Sequence, residues 1–390
     1  MQETTAKSKY KGKLRAAICI MAFVVMAAAL FLYLNKVFSM GDADANRQTF
    51  KAFYSEEPNT IEVVYLGTSA ANRFFINPQA YHDEGIASFT VATMGMPMFF
   101  IPEVIEEVEK TQDPKLYIIE LRWFLKSKDD INDAHIRRVT DNLKYSGNKL
   151  ESIDKAFTIM DGDTGELGDI SYNKVDYLVP VVKYHDRLTQ HSMRRGDWKL
   201  TSTKNETKGY IISDKTRKQV NQFPARLTPG KAPMSELAEE SLNEVLDYCD
   251  QVKEDTDILF VLSPYSVKTG QMPVFNTVLE KVEKRGYQVL NFNTEEMYEE
   301  LDLDWDKDYY DSMHVNYLGA EKYTAWLSKY LKSHYALEDY RGDARYESWE
   351  DAYREYKEYV KDGINVIGHK DKIGGKVTII YDSRQEQNND

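Results

Sequence analysis

The chain has 390 residues, with 63 acidic side chains against 50 basic ones and a net charge of −13. Lys7, Lys9, Lys11, Lys13 and Arg15 against Glu3 give residues 1–15 a charge of +4, so the remainder carries −17, and no nucleic-acid partner is expected. There are two cysteines, Cys19 in an apolar run and Cys249 far beyond it, so no disulfide is expected and stability must come from an ordinary core.

Residues 16–34 are uncharged and apolar, and as a helix they would cover about 28 Å, near the thickness of a bilayer's hydrocarbon core. With the basic flank held inside, residues 1–15 read as a cytoplasmic tail and 16–37 as a single-pass anchor in the cell membrane. The rest is then extracytoplasmic. A cleaved signal peptide is the competing reading, because Ala43-Asp-Ala45 fits the cleavage pattern. Its apolar core should be shorter, about 7–15 residues, and Lys36 intervenes. Residues 38–58 read as a stalk, with one or two helical turns over 48–54 and a stop at Pro58.

Ile61-Glu-Val-Val-Tyr-Leu66 predicts a buried strand ending at Gly67-Thr68-Ser69. A helix start follows over 70–75 and is broken at Asn77-Pro78. A second strand over 85–92 runs into Met94-Gly95, and 102–110 is an amphipathic helix begun by Pro102. A third strand over 115–121 closes at Arg122-Trp123-Phe124. Short apolar strands alternating with helices predict an α/β fold of three layers, a doubly wound and mainly parallel sheet.

Residues 134–234 break that rhythm with a helical stretch over 136–145, a Gly and Asp cluster over 161–168 and a basic segment over 187–218. An insertion of this length builds a lid or substrate platform, or a solvated loop face. Alternation returns with helix 235–252, strand 257–262, helix 273–285, strand 287–291 and a closing helix over 317–331, so the outer domain covers 59–335. In the extension 336–390 a helix over 349–360 and an edge strand over 376–381 are expected, with 383–390 disordered.

Ser69 stands at a strand tip, where open α/β sheets place their chemistry. Asp311-Ser-Met-His314 supplies a carboxylate and an imidazole three residues apart. On a turn the carboxylate can reach Nδ1 and fix the tautomer, leaving Nε2 to take a serine proton. The plainer readings are a helix N-cap by Asp311 beside a surface histidine, or a metal-site fragment with Asp306 and Asp308. No metal or cofactor is expected. The Gly-x-Ser lacks the second glycine of the α/β-hydrolase elbow. Tyr-His-Asp occurs at 81–83 and again at 184–186, where His185 with Arg187 are candidate substrate contacts. Cys249, in a helical pattern near Leu246, reads as a core residue.

Gly-Thr-Ser near the start, paired with Asp-x-x-His near the end and followed by Asn316 and Gly319-Ala320, resembles the SGNH/GDSL hydrolase superfamily over about 61–125 and 257–331. The single span with an outer domain resembles membrane-anchored proteins that O-acylate envelope polymers, such as the D-alanyl transfer protein of lipoteichoic acid and alginate O-acetylation proteins. The resemblance implies an SGNH or flavodoxin-like sheet, with Ser69 as nucleophile, His314 as general base and Asp311 as its orienting acid. It also implies an oxyanion hole from the N–H groups of Ser69 and Gly95. The superfamily's Gly-x-Asn-Asp block is absent. Glu120-Leu-Arg122 stands there, making Arg122 a candidate oxyanion donor or half of a structural salt bridge. The implied partners are a cell-envelope glycopolymer substrate and a multi-pass membrane O-acyltransferase. A non-catalytic envelope scaffold or polysaccharide-binding module on the same fold is the alternative.

Overall fold

The computed structural model describes residues 2–39, 41, 44–160, 164–167, 170–200, 204–219, 229–252, 254, 256–265, 267, 268, 270–361, 363, 365, 366, 369, 370, 377 and 378. In chain order these form α1 (Gln2–Val37), α2 (Ala45–Phe53), β1 (Val63–Gly67), α3 (Ser69–Asn72), α4 (Asn77–Glu84), β2 (Ser88–Ala92), α5 (Ile101–Glu109) and β3 (Leu116–Glu120). Next come α6 (Asp133–Thr140), α7 (Gly147–Ile159), β4 (Thr164–Leu167), β5 (Ile170–Asn173), α8 (Lys174–Leu178), α9 (Pro180–Tyr184), α10 (Arg195–Lys199) and β6 (Lys215–Thr216). The last are α11 (Glu236–Cys249), β7 (Asp257–Leu262), α12 (Gln271–Lys284), β8 (Gln288–Asn291), α13 (Glu295–Leu301), α14 (Tyr317–His334), α15 (Glu347–Val360), β9 (Asn365–Val366), β10 (His369–Lys370) and β11 (Val377–Thr378). The chain divides into two compact units, Met1–Asp44 with Asn173–Thr203, and Ala45–Tyr172 with Lys204–Asp390.

The larger unit is α/β, built on a five-stranded parallel sheet in the order β2-β1-β3-β7-β8. Strands β1, β2 and β3 are buried along their whole length, as a sheet covered on both faces requires. Val63, Tyr65, Leu116, Ile118, Leu259 and Val261 share one core with buried residues of α4, α14 and α15. Their neighbours point the other way, and there Tyr117 donates to Glu109 of α5 at 3.5 Å. The order reverses direction between β1 and β3, so the crevice for chemistry falls at the C-terminal ends of those two strands.

Exposed sheet edges invite foreign strands, and the β2 edge is blunted by two distant segments. The Thr90 N–H donates to the Lys208 carbonyl at 3.0 Å. The Trp349 indole donates to the Ser88 carbonyl at 2.9 Å, and Lys208 lies 3.9 Å over that indole ring.

Several expected boundaries differ. Residues 45–53, expected in a stalk, form α2, which buries Phe50 and Phe53 and caps the Met94 N–H with Asn46 at 2.8 Å. The spacing of those two aromatics makes one apolar helix face, and it belongs to the larger unit. Pro78 begins α4 instead of ending a helix, because proline is tolerated in a first turn. The 134–234 stretch is divided. α6 and α7 bury Ile136, Val139, Ile153 and Phe157, with Asn148 donating to the Glu103 carbonyl of α5 at 2.9 Å. Residues 173–203 belong to the smaller unit and 204–219 return to the larger one. The extension is integral as far as α15, whose Tyr356 and Val360 enter the main core. Of the strand expected over 376–381, Val377–Thr378 is described and pairs antiparallel with β10; the rest of it, and the expected disorder over 383–390, lie outside the described residues. Cys249 is buried, with its thiol pushed up to about 12 by burial, and Cys19 stands exposed on α1.

In the smaller unit, Gly12–Val37 of α1 is 26 residues long and apolar enough to cross a membrane once, or to serve as a signal sequence. Because Trp349 is fully buried and closes the β2 edge, Trp349→Ala should lower unfolding free energy by about 3–5 kcal/mol. Denaturant unfolding of the detergent-solubilised chain measures it, and a loss under about 1 kcal/mol would contradict this packing.

Candidate active site

Ser69 opens α3 directly after β1, and the turn depends on Gly67. That residue holds φ +149°, and a Cβ there would lie 2.8 Å from the Glu120 Cβ, so a side chain at 67 would push β1 away from β3. Thr68 caps the short helix by accepting the Ala70 N–H at 3.3 Å.

The imidazole arrives on a closed turn. The N–H groups of Tyr310 and Asp311 donate to the His314 carbonyl at 3.0 and 3.3 Å, and Tyr309 and Val315 form an antiparallel bridge. Asn316, not Asp311, is the N-cap of α14, accepting the Leu318 and Gly319 N–H groups at 3.0 and 3.2 Å. Asp311 is thereby left for the imidazole. Its Oδ1 accepts the N–H groups of Met313 (2.7 Å) and His314 (2.9 Å), and its two oxygens lie 2.9 and 3.1 Å from His314 Nδ1.

An ionised carboxylate only accepts, so Nδ1 carries the ring proton and Nε2 presents a lone pair. Nε2 lies 2.8 Å from Ser69 Oγ, within the 2.6–3.2 Å that proton transfer needs. Two segments 245 positions apart therefore meet at one rim of the sheet. Burial pulls the His314 pKa below its ordinary 6.5, aided by the charges of Arg122 and Arg73 and opposed by Asp311. Burial opposes ionisation of Asp311, but its bonds to His314 and to two backbone N–H groups hold its carboxyl below the usual range.

Arg122 is fixed by its surroundings. Its guanidinium stacks between Phe74 (4.8 Å) and Tyr265 (4.9 Å), and Nε lies 3.3 Å from Glu120. It also donates to the Met313 carbonyl of the histidine turn. The salt bridge within Glu120-Leu-Arg122 is present, and Arg122 also ties the turn to the tip of β3 while lining the cleft beside Ser69.

Gly95 sits three residues past the end of β2, at the same rim. Its φ is +73°, and a Cβ would meet the His135 ring at 2.6 Å. Gly95 is not among the described residues that line the cleft. His185 and Arg187 belong to the smaller unit and Ser69 to the larger. Arg187 is paired with Asp197 at 2.9 Å and donates to the Ser39 carbonyl at 2.7 Å. His185 Nδ1 lies 2.7 Å from the Val182 carbonyl. Asp306 and Asp308 pair with Lys218 (2.6 Å) and Lys322 (2.9 Å).

The cleft at Ser69 encloses about 300 Å³. Its walls include Trp123 and Lys126 past β3, Tyr265, Lys268 and Gln271 past β7, and Met313 beside His314. Sequence reading did not single these out as lining a site. The signal was present for Trp123, Lys126, Tyr265 and Lys268, which follow within six residues of the C-terminal end of a parallel strand, whereas Met313 is brought in only by the histidine turn. A larger cavity of about 550 Å³ lies elsewhere, between α2, residues 204–208 and α15. Compared with protein-family models and with curated proteins, the chain matches none.

If Ser69 is activated by neutral His314, activity should rise with pH along one acid limb whose midpoint lies below 6.5 and be flat from about pH 7 upward. Arg122→Gln removes a cation that disfavours imidazolium, so the limb should move to higher pH, while Arg122→Lys should move it less. pH profiles of kcat/KM for both variants check this, and an unmoved limb would contradict it.

Proposed function

We propose that this protein is an SGNH-type serine esterase or O-acyltransferase, held at the cell membrane by α1 and acting on a cell-envelope glycopolymer. The observation that carries the proposal is the relay from Asp311 through His314 to Ser69 Oγ at 2.8 Å, at the switch point of a parallel sheet. The sheet order β2-β1-β3-β7-β8 supports the SGNH or flavodoxin-like arrangement within which Ser69 would be the nucleophile.

In this reading Ser69 Oγ attacks the carbonyl carbon of an acyl donor while His314 Nε2 takes its proton. The charge on the carbonyl oxygen would fall to the N–H of Ser69, with the guanidinium of Arg122 close by. His314 returns the proton to the leaving group, and an acyl-Ser69 ester remains. A glycopolymer hydroxyl, or water, gives up its proton to His314 and attacks that ester, which frees Ser69. A multi-pass membrane O-acyltransferase would supply the acyl group, and Ser69 would pass it on.

Full-length protein in detergent should react covalently with a fluorophosphonate at Ser69, and Ser69→Ala should abolish the label. Hydrolysis of a small acyl ester should fall by about 10⁴-fold or more in Ser69→Ala and by a similar factor in Asp311→Asn, where the tautomer is lost. Absence of labelling, with ester turnover equal in Ser69→Ala, would instead favour a binding module.

A further inference from the structure

We propose that residues 173–200 form a collar lying in the lipid headgroup layer where α1 leaves the bilayer, with apolar side chains toward the acyl chains and cations among anionic headgroups. The proposal rests on α1 being a retained membrane span, as in the function proposed above.

The collar grips the C-terminal end of α1. The Val181 N–H donates to Asn35 Oδ1 at 3.0 Å, and the Tyr33 hydroxyl donates to the Trp198 carbonyl at 2.6 Å. The rings of Phe38 and Trp198 meet edge to face at 5.9 Å, and Val37 and Phe38 are buried. Twenty-six residues of helix measure about 39 Å, against about 30 Å of hydrocarbon. With the apolar run centred in the membrane, the end that carries Asn35 and Phe38 stands at the headgroups. Whatever packs there shares that depth.

The collar's surface fits this depth. Among the described residues, nine large hydrophobic side chains outside α1 are exposed, and five of them, Val175, Val182, Leu188, Trp198 and Leu200, fall in this one segment. Such a concentration is unfavourable in water and is what an interfacial element presents to lipid. Tyr33 and Trp198 are the ring types that settle at this boundary. Six cations against three acids give the segment +3 in a chain of −13, complementary to anionic headgroups.

The test uses the full-length chain with Cys19→Ala and Cys249→Ala, in liposomes of phosphatidylcholine alone or mixed with phosphatidylglycerol. Spin labels are placed singly on Val182→Cys and Leu188→Cys. Val25→Cys serves as a mid-bilayer reference and Tyr145→Cys as an aqueous one. Collision with oxygen and with a water-soluble nickel chelate reads depth. The 182 and 188 labels should meet the chelate about two-fold less often than 145 or below, and less still with phosphatidylglycerol. If 25 reads hydrocarbon while 182 and 188 match 145, the collar is overturned and the face is left for a protein partner. If 25 itself reads aqueous, the span fails and the anchored reading with it.

Discussion

The buried pair of Glu120 and Arg122 at the tip of β3 is the constraint on which the candidate site depends. The Glu120 Cβ packs where Gly67 leaves room, and its carboxylate accepts the Ser263 hydroxyl at 2.8 Å and the Arg122 N–H at 3.0 Å. Arg122 extends the link to the Met313 carbonyl. One ion pair therefore touches the ends of β1, β3 and β7 and the histidine turn. Burial raises the Glu120 pKa, and the guanidinium and the donors around it work against that rise. Removing one partner of such a pair leaves an uncompensated buried charge, at about 3–5 kcal/mol.

A second set of bonds holds the site from outside the sheet. Between 204 and 219 the chain runs from the β2 edge past Ser69's own helix to the histidine turn. The Ile211 N–H donates to the Asn72 carbonyl at 2.6 Å, Arg73 donates to Ser213 at 2.5 Å, and the Arg217 N–H donates to the Tyr309 carbonyl at 2.7 Å. The nucleophile's helix and the base's turn thus share one strap, although Ser69 and His314 are far apart in sequence.

Much of the larger unit was legible locally. Strand β1 announces itself by an apolar β-branched run, α5 by Pro102 and its apolar face, and β7 by Asp257-Ile-Leu-Phe-Val-Leu. The Asp-x-x-His spacing implied a turn that brings carboxylate to imidazole, and Ser69 stood where a strand tip exposes it. The stalk, insertion and extension boundaries were less legible, because a buried face on α2 or α15 looks like any short amphipathic run until its partner is known. Trp349 closing the β2 edge, and Lys208 beside it, carry no local signature. The ion pair of Arg187 was illegible for a related reason. A basic loop residue and a buried ion-pair member have the same letter, and Asp197, ten positions on, decides between them.

By itself the sequence determined the α/β alternation, the apolar N-terminal helix and the chemical identity of the three polar groups, since these follow from periodicity, length and residue type. Only the tertiary structure decided that His314 faces Ser69 and that Arg122 serves the histidine turn. It also decided which neighbours line the cleft. Those outcomes are set by strand order and by contacts between segments hundreds of residues apart, and a one-dimensional pattern holds no distance between them.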